Sequence, residues 1–99
     1  MVESKSHKST SNRLAKKHKT EYNTGQGADI QTNKIAIEVE TPGTVADGLR
    51  QLQGHKKPVY IAGTNREAVD KALEVTKSTT IGVMDNQGKI VKRSTRRKN

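Results

Sequence analysis

The chain has 99 residues, the size of a single domain, of which only 29% are hydrophobic and 2% aromatic, so its core must be small and aliphatic. It contains no Cys, which excludes disulfides and thiolate metal sites. No apolar run approaches the roughly 20 residues that span a bilayer, and the polar, basic N-terminus is unlike a signal peptide. We therefore expect a cytoplasmic protein without membrane contact.

The net charge of +9 is concentrated at the two ends of the chain. Residues 1–20 carry six Lys or Arg and one acid, residues 89–99 carry six and no acid, and residues 21–88 carry seven against nine acids. Basic ends beside a near-neutral middle are typical of proteins that bind phosphate backbones. The alternative is a pair of solvated tails that only keep the protein soluble. The predicted nucleic-acid contacts are Lys16, Lys17, Lys56, Lys57, Lys92, Arg93, Arg96 and Arg97.

We predict a basic disordered tail over residues 1–8, an α/β domain over 9–91 and a basic tail over 92–99. Residues 21–24 either extend the first helix or form a short strand. The predicted elements, in chain order, are a helix capped within residues 9–12, strands at 28–31 and 35–40, a helix after Thr44, a strand at 58–62, a helix after Thr64, and strands at 81–84 and 89–91.

The helix after Thr44 connects two of these strands and predicts their pairing. A strand, a crossover helix and a further strand favour parallel pairing with a right-handed connection. The strands at 35–40 and 58–62 should therefore be parallel neighbours. The fold class is a small α/β sandwich with a mixed sheet flanked by helices.

Three carboxylates fall on the predicted hairpin of residues 28–40. Side chains alternate along a strand, so Glu38 and Glu40 should share one face about 6–7 Å apart, and Asp29 can join them across the turn. Clustered carboxylates repel each other, and a hard divalent cation is the usual remedy. In a strongly basic chain this predicts a metal site that acts on a polyanion. The alternative is that Glu38 and Glu40 line the wet face of a one-sided sheet.

The order of these elements resembles the PD-(D/E)XK nuclease superfamily, which includes small archaeal Holliday junction resolvases and restriction endonucleases. The resemblance rests on Asp29 near the start of a hairpin, the strand Ile37-Glu38-Val39-Glu40 and a following helix with Gln51, and it covers residues 9–62. It implies a restriction-endonuclease-like α-β-β-β-α-β core, here followed by an extra helix and a C-terminal hairpin. It also implies an endonuclease that hydrolyses DNA phosphodiester bonds, with branched DNA among the candidate substrates, and a homodimer as a common form.

The resemblance also implies roles for particular residues. Asp29 matches the metal-binding Asp, Glu38 the acidic position of the (D/E)XK element, and Val39 the residue whose backbone carbonyl ligates Mg²⁺ or Mn²⁺. Glu40 stands where the family usually has Lys, so it would serve as a general base or hold a second metal. Gln51 would orient a water or a phosphate. The competing hypothesis is a non-catalytic nucleic-acid-binding protein on the same scaffold.

A few other side chains have minor predicted roles. Because Glu40 replaces the family's Lys, the positive charge near the phosphate would have to come from another residue. Lys34, Arg50, Lys56 and Lys57 are the candidates. The three His residues have no His, Cys or carboxylate partner at ligand spacing, so we predict no zinc site.

Overall fold

The structure is a computed structural model that describes residues 5–20, 22 and 28–96. Its strands form one five-stranded sheet in the order β1-β2-β3-β4-β5, which confirms the predicted mixed α/β architecture. The elements are α1 (Lys5–Lys17), β1 (Ile30–Gln31), β2 (Ala36–Glu40), α2 (Val45–Leu52), β3 (Val59–Gly63), α3 (Arg66–Val75), β4 (Gly82–Met84) and β5 (Ile90–Lys92).

The sheet combines two antiparallel hairpins with a parallel centre. β1 pairs antiparallel with β2, and β4 pairs antiparallel with β5. β2, β3 and β4 are parallel, and they are connected through α2 and α3. The predicted parallel pairing of the strands at 35–40 and 58–62 is therefore confirmed.

Helices cover the sheet on both faces. Val45 of α2 and Ala68 of α3 pack with Ile61 on one face, while Leu14 of α1 packs with Ile37 on the other. All residues of β2, β3 and β4 are consequently buried. This burial excludes the alternative of a one-sided sheet with Glu38 and Glu40 on its wet face.

Helix α1 begins earlier than the sequence predicts. It starts at Lys5, so residues 5–8, predicted as part of a disordered tail, are helical. A contact of His7 with Asp29 holds the first turn against the sheet, and tertiary contacts of this kind commonly outweigh weak local propensity. Residues 1–4 lie outside the described chain, as do all but Tyr22 of the alternative strand at 21–24.

The C-terminal segment, defined here as residues 92–96, packs on the body of the protein instead of forming the predicted tail. Lys92 ends β5, and its Nζ donates to the carbonyl oxygens of Thr76 (2.5 Å) and Ile81 (2.9 Å). The Arg96 guanidinium donates to the carbonyls of Leu52 (2.7 Å), Gln53 (3.3 Å) and His55 (3.1 Å). Carbonyls at a helix C-terminus have no partner within the helix and carry partial negative charge, so they attract cations.

Candidate functional site

The site begins where the β1–β2 ladder stops. The last regular pair toward the C-terminal end of β2 joins Ile30 and Ile37. Beyond it, the backbone N–H of Asp29 donates to Oε1 of Glu38 (2.9 Å), and the N–H of Val39 donates to Oδ2 of Asp29 (2.9 Å). Side-chain oxygens thus replace the backbone acceptors of the ladder, and they fix Asp29 and Glu38 beside each other.

The backbone of Val39 contributes a further oxygen to this edge. The N–H and C=O of a strand residue point to the same side, as in an antiparallel pair that exchanges both hydrogen bonds. Because the Val39 N–H points to Asp29, its carbonyl faces the same side of β2. The Val39 carbonyl therefore lies on the side of β2 where Asp29 contacts the strand, and the metal role that the resemblance implies for Asp29, Glu38 and Val39 stays a prediction.

His7 joins the site from helix α1, a contact that the sequence did not predict. Its Nε2 lies 3.2 Å from Oδ2 of Asp29, and its Nδ1 lies 3.3 Å from the hydroxyl of Tyr22. His7 thus has a carboxylate neighbour in the fold, although the sequence shows none at ligand spacing. Sequence spacing could not reveal the contact, because 22 residues separate His7 from Asp29 and the fold alone brings them together.

Glu38 and Glu40 are buried carboxyl groups, 4% and 6% exposed. Burial raises the pKa of Glu38 to about 8, and repulsion from Asp29 adds to the rise. Burial also raises the pKa of Glu40 to about 7, although a hydrogen bond with Thr44 opposes it. Within the described part of the chain, neither group forms a salt bridge with Lys or Arg. Their charge is therefore poorly compensated inside the protein.

Helix α2 lies directly over Glu40. A Cβ atom added at Gly48 would lie 2.6 Å from Cγ of Glu40, so only glycine leaves room for this side chain. Thr44, just before the helix, accepts a hydrogen bond from the N–H of Thr41 (2.9 Å), which orders the turn between β2 and α2. The sequence around Gly48 thus shapes the space that Glu40 occupies.

We define Asp29, Glu38 and Glu40 as the carboxylate cluster. Residues 5–20, 22 and 28–96 contain no group of three or more His, Cys, Asp or Glu side chains arranged to hold a metal ion. The donors nevertheless suit a hard cation, because Mg²⁺ binds through one or two carboxylates and keeps several waters. The predicted metal site stays a prediction.

Gln51 lies on α2, where its side chain is exposed and forms no hydrogen bond with a described residue. Its predicted role toward a water or a phosphate stays a prediction. Arg50 pairs with Asp47 on the same helix, so it does not fold over the carboxylates to replace the family's Lys.

The predicted nucleic-acid contacts divide into two groups. Within the described chain, four of these side chains donate to backbone carbonyls. Lys92 and Arg96 do so as described above, Lys17 donates to Gln87 (3.2 Å), and Lys57 donates to Thr32 (2.7 Å). Lys16, Lys56 and Arg93 are exposed, and Arg97 lies outside the described residues.

In comparisons with known proteins, no protein-family model, curated protein or solved structure matches the chain significantly. In the described ranges, no helix combines the length and apolar character needed to cross a membrane.

Proposed function

We propose that this protein is a metal-dependent endonuclease that hydrolyses phosphodiester bonds in DNA, on a restriction-endonuclease-like α/β scaffold. The observation that supports the proposal is the pair of buried carboxylates, Glu38 and Glu40, beside Asp29 and without a Lys or Arg partner in the described chain. Buried carboxyl groups whose pKa values are raised by burial cost stability, and such groups concentrate at functional sites.

In the proposed site, Asp29, Glu38 and the carbonyl of Val39 would hold Mg²⁺ or Mn²⁺. The bound ion would supply a water of lowered pKa and polarise a phosphoryl oxygen. Because Glu38 is protonated below a pKa of about 8, metal must displace its proton, and binding should strengthen as pH rises.

The chain's own residues would orient the site and move protons. Glu40, with a pKa of about 7, can accept a proton from an attacking water near neutral pH. His7 fixes Oδ2 of Asp29 from the α1 side, and Tyr22 in turn contacts the other nitrogen of its ring. His7 is therefore a positioning residue in this proposal.

Cleavage of labelled linear, supercoiled and four-way-junction DNA tests the proposal. Glu38→Gln keeps the acceptor for the Asp29 N–H but loses the negative charge, and should slow metal-dependent cutting by about 100-fold or more. The matched control is Glu67→Gln, which removes an exposed carboxylate from the first turn of α3 and should cut normally. Equal cutting by Glu38→Gln and wild type, or cutting that persists in EDTA, would contradict the proposal.

The second candidate is a non-catalytic nucleic-acid-binding protein. It is favoured by Glu40 at the position of the family's Lys, and by the lack of a three-ligand metal group among the described side chains. Salt-sensitive DNA binding without cutting, equal in wild type and Glu38→Gln, would establish it. A homodimer in the DNA complex is a further expectation of the resemblance, and sedimentation of the complex measures it.

A further inference from the structure

A polar pocket lies between the end of α1 and the β1–β2 turn, away from the carboxylate cluster. It encloses about 550 Å³ and is lined by residues 18–20, residues 31–33 and Lys57. Each lining side chain can form hydrogen bonds, two of them are lysines, and none is acidic. A pocket of this composition suits an anion that accepts several hydrogen bonds.

Another well-formed cavity shows that this composition is not general on this protein. That cavity of about 420 Å³ lies beside α3 and is lined by two asparagines and by Val69, Leu73, Val91, Arg66, Asp70 and Asp85. Its apolar side chains and the excess of two carboxylates over one arginine disfavour an anion there. The positive, fully polar lining is therefore a local property of the pocket between α1 and the β1–β2 turn.

The rim of the polar pocket is ordered by hydrogen bonds. The Thr32 hydroxyl accepts from the backbone N–H groups of Lys34 and Ile35, both at 3.1 Å. Lys57 Nζ donates to the Thr32 carbonyl at 2.7 Å. An ammonium group has three N–H donors, so Lys57 retains two for a ligand.

The opposite side of the pocket is formed by His18 and Lys19, which follow the end of α1. Lys19 adopts a left-handed conformation with φ of 56°, uncommon for a residue other than glycine, and its side chain is exposed. The neighbouring His18 has a buried Nε2 atom without a hydrogen-bond partner among the described residues. Both residues thus carry unused donors or acceptors at this position.

The pocket and the carboxylate cluster lie at two ends of the same elements. His7 contacts the cluster and His18 lines the pocket, and 11 residues of helix correspond to about three turns and roughly 16 Å. Along the hairpin, Asp29 and Thr32 are three residues apart, which is about 10 Å in a strand. Phosphates of one DNA strand follow each other every ~3.4 Å along the axis. A separation of about 10–16 Å exceeds the spacing of adjacent phosphates, so the pocket and the cluster would contact different phosphates of one strand.

We propose that this pocket binds a backbone phosphate of the nucleic acid, on the same strand as the phosphate at the carboxylate cluster and separate from it. The proposal rests on the proposed function, since it takes the cluster to be the point of cleavage. Lys19 and Lys57 supply the charge, and the Thr20 and Asn33 side chains supply hydrogen bonds. The subsite fixes the register of the strand and takes no part in the chemistry.

Binding of a labelled DNA duplex, measured in EDTA against salt concentration, tests the subsite without requiring cleavage. The double variant Lys19→Gln/Lys57→Gln should weaken binding and reduce the slope of log Kd against log salt by about two, roughly one for each lost phosphate contact. Lys19→Gln alone should reduce it by about one, and it leaves the Lys57–Thr32 hydrogen bond intact. The control Lys77→Gln removes an exposed lysine just after α3 and should keep the wild-type slope.

Thermal unfolding in inorganic phosphate separates a backbone subsite from a site for the free anion. If phosphate protects the wild type and not the double variant, while their DNA salt slopes are equal, the pocket binds free phosphate and the proposal is overturned. Equal DNA salt slopes for wild type and double variant, with no protection of either by inorganic phosphate, would also overturn the proposal. A reduced slope in a protein that cuts no DNA supports the subsite and refutes the nuclease, so the two failures are distinguishable.

Discussion

The carboxylate cluster and the C-terminal segment both hold charged groups against the body of the protein, but they differ in what surrounds those charges. Lys92 and Arg96 reach carbonyl oxygens near the ends of α2 and α3, where cations are favourable. Glu38 and Glu40 have no Lys or Arg partner in the described chain, and their pKa values rise to about 8 and about 7. One region uses charge to stabilise the fold, whereas in the other burial disfavours the charged form.

This difference indicates where function is to be sought. A charged side chain that forms hydrogen bonds within the fold contributes to stability. A buried ionisable group without such a partner instead suggests a ligand or a reaction at that position. Composition predicts that Lys92 and Arg96 contact DNA, and in the structure both side chains donate to backbone carbonyls. Substitutions in each region test this contrast.

The largest expected effect is a pH dependence of stability that originates at Glu38. Its pKa is about 8 in the folded protein and near 4.5 in the unfolded chain, so the folded state holds a proton that the unfolded state has released. Stability should therefore fall as pH rises from about 5 to about 8. Glu38→Gln should remove this part of the fall and raise the unfolding free energy at pH 8 by about 2–4 kcal/mol.

Urea unfolding in EDTA at several pH values measures this effect. Glu67→Gln is the control, because Glu67 is exposed and its substitution should leave the shape of the pH profile unchanged. Parallel profiles for Glu38→Gln and wild type would show that the buried carboxyl is compensated, and the contrast between the two regions would fail.

The next effect concerns the C-terminal segment. Arg96→Ala removes charge-assisted hydrogen bonds to three carbonyl groups and should cost about 1.5–3 kcal/mol of unfolding free energy. Arg93→Ala removes an exposed side chain of the same charge and should change it by less than about 0.5 kcal/mol. Equal losses in both variants, measured by urea unfolding, would mean that net charge and not the helix-end contacts stabilises the segment.

A smaller effect is expected where α2 crosses Glu40. Gly48→Ala gains roughly 1 kcal/mol of helix propensity but places a Cβ 2.6 Å from Cγ of Glu40. Overpacking of this kind costs about 1–3 kcal/mol, so the net change should be a loss of about 1 kcal/mol. In Glu40→Ala the obstructing atom is gone, and the same substitution should become stabilising. A double-mutant cycle measures this reversal, and additive effects would place Glu40 elsewhere.

Local sequence patterns predict much of the fold. They predict the hairpins, the parallel centre of the sheet and the proximity of Asp29 to Glu38. Alternation, turn residues and the crossover rule act over a few residues, and together they fix the register of β1 and β2. The contact of His7 with Asp29 and the packing of Arg96 on α2 were not predicted. Both join segments far apart in sequence, and nothing local distinguishes a basic tail from a segment that donates to helix carbonyls.

The smallest expected effect belongs to Arg50, a sequence-based candidate for positive charge over the carboxylate cluster. It pairs with Asp47, and both side chains are largely exposed at 74% and 50%. Exposed pairs contribute about 0–1 kcal/mol, so Arg50→Gln should change the unfolding free energy by less than about 0.5 kcal/mol. The charge of Asp47 raises the pKa of Glu40, and loss of its partner should raise that pKa slightly further. NMR titration of the Glu40 carboxyl measures the change, and a large rise would show that Arg50 neutralises the cluster directly.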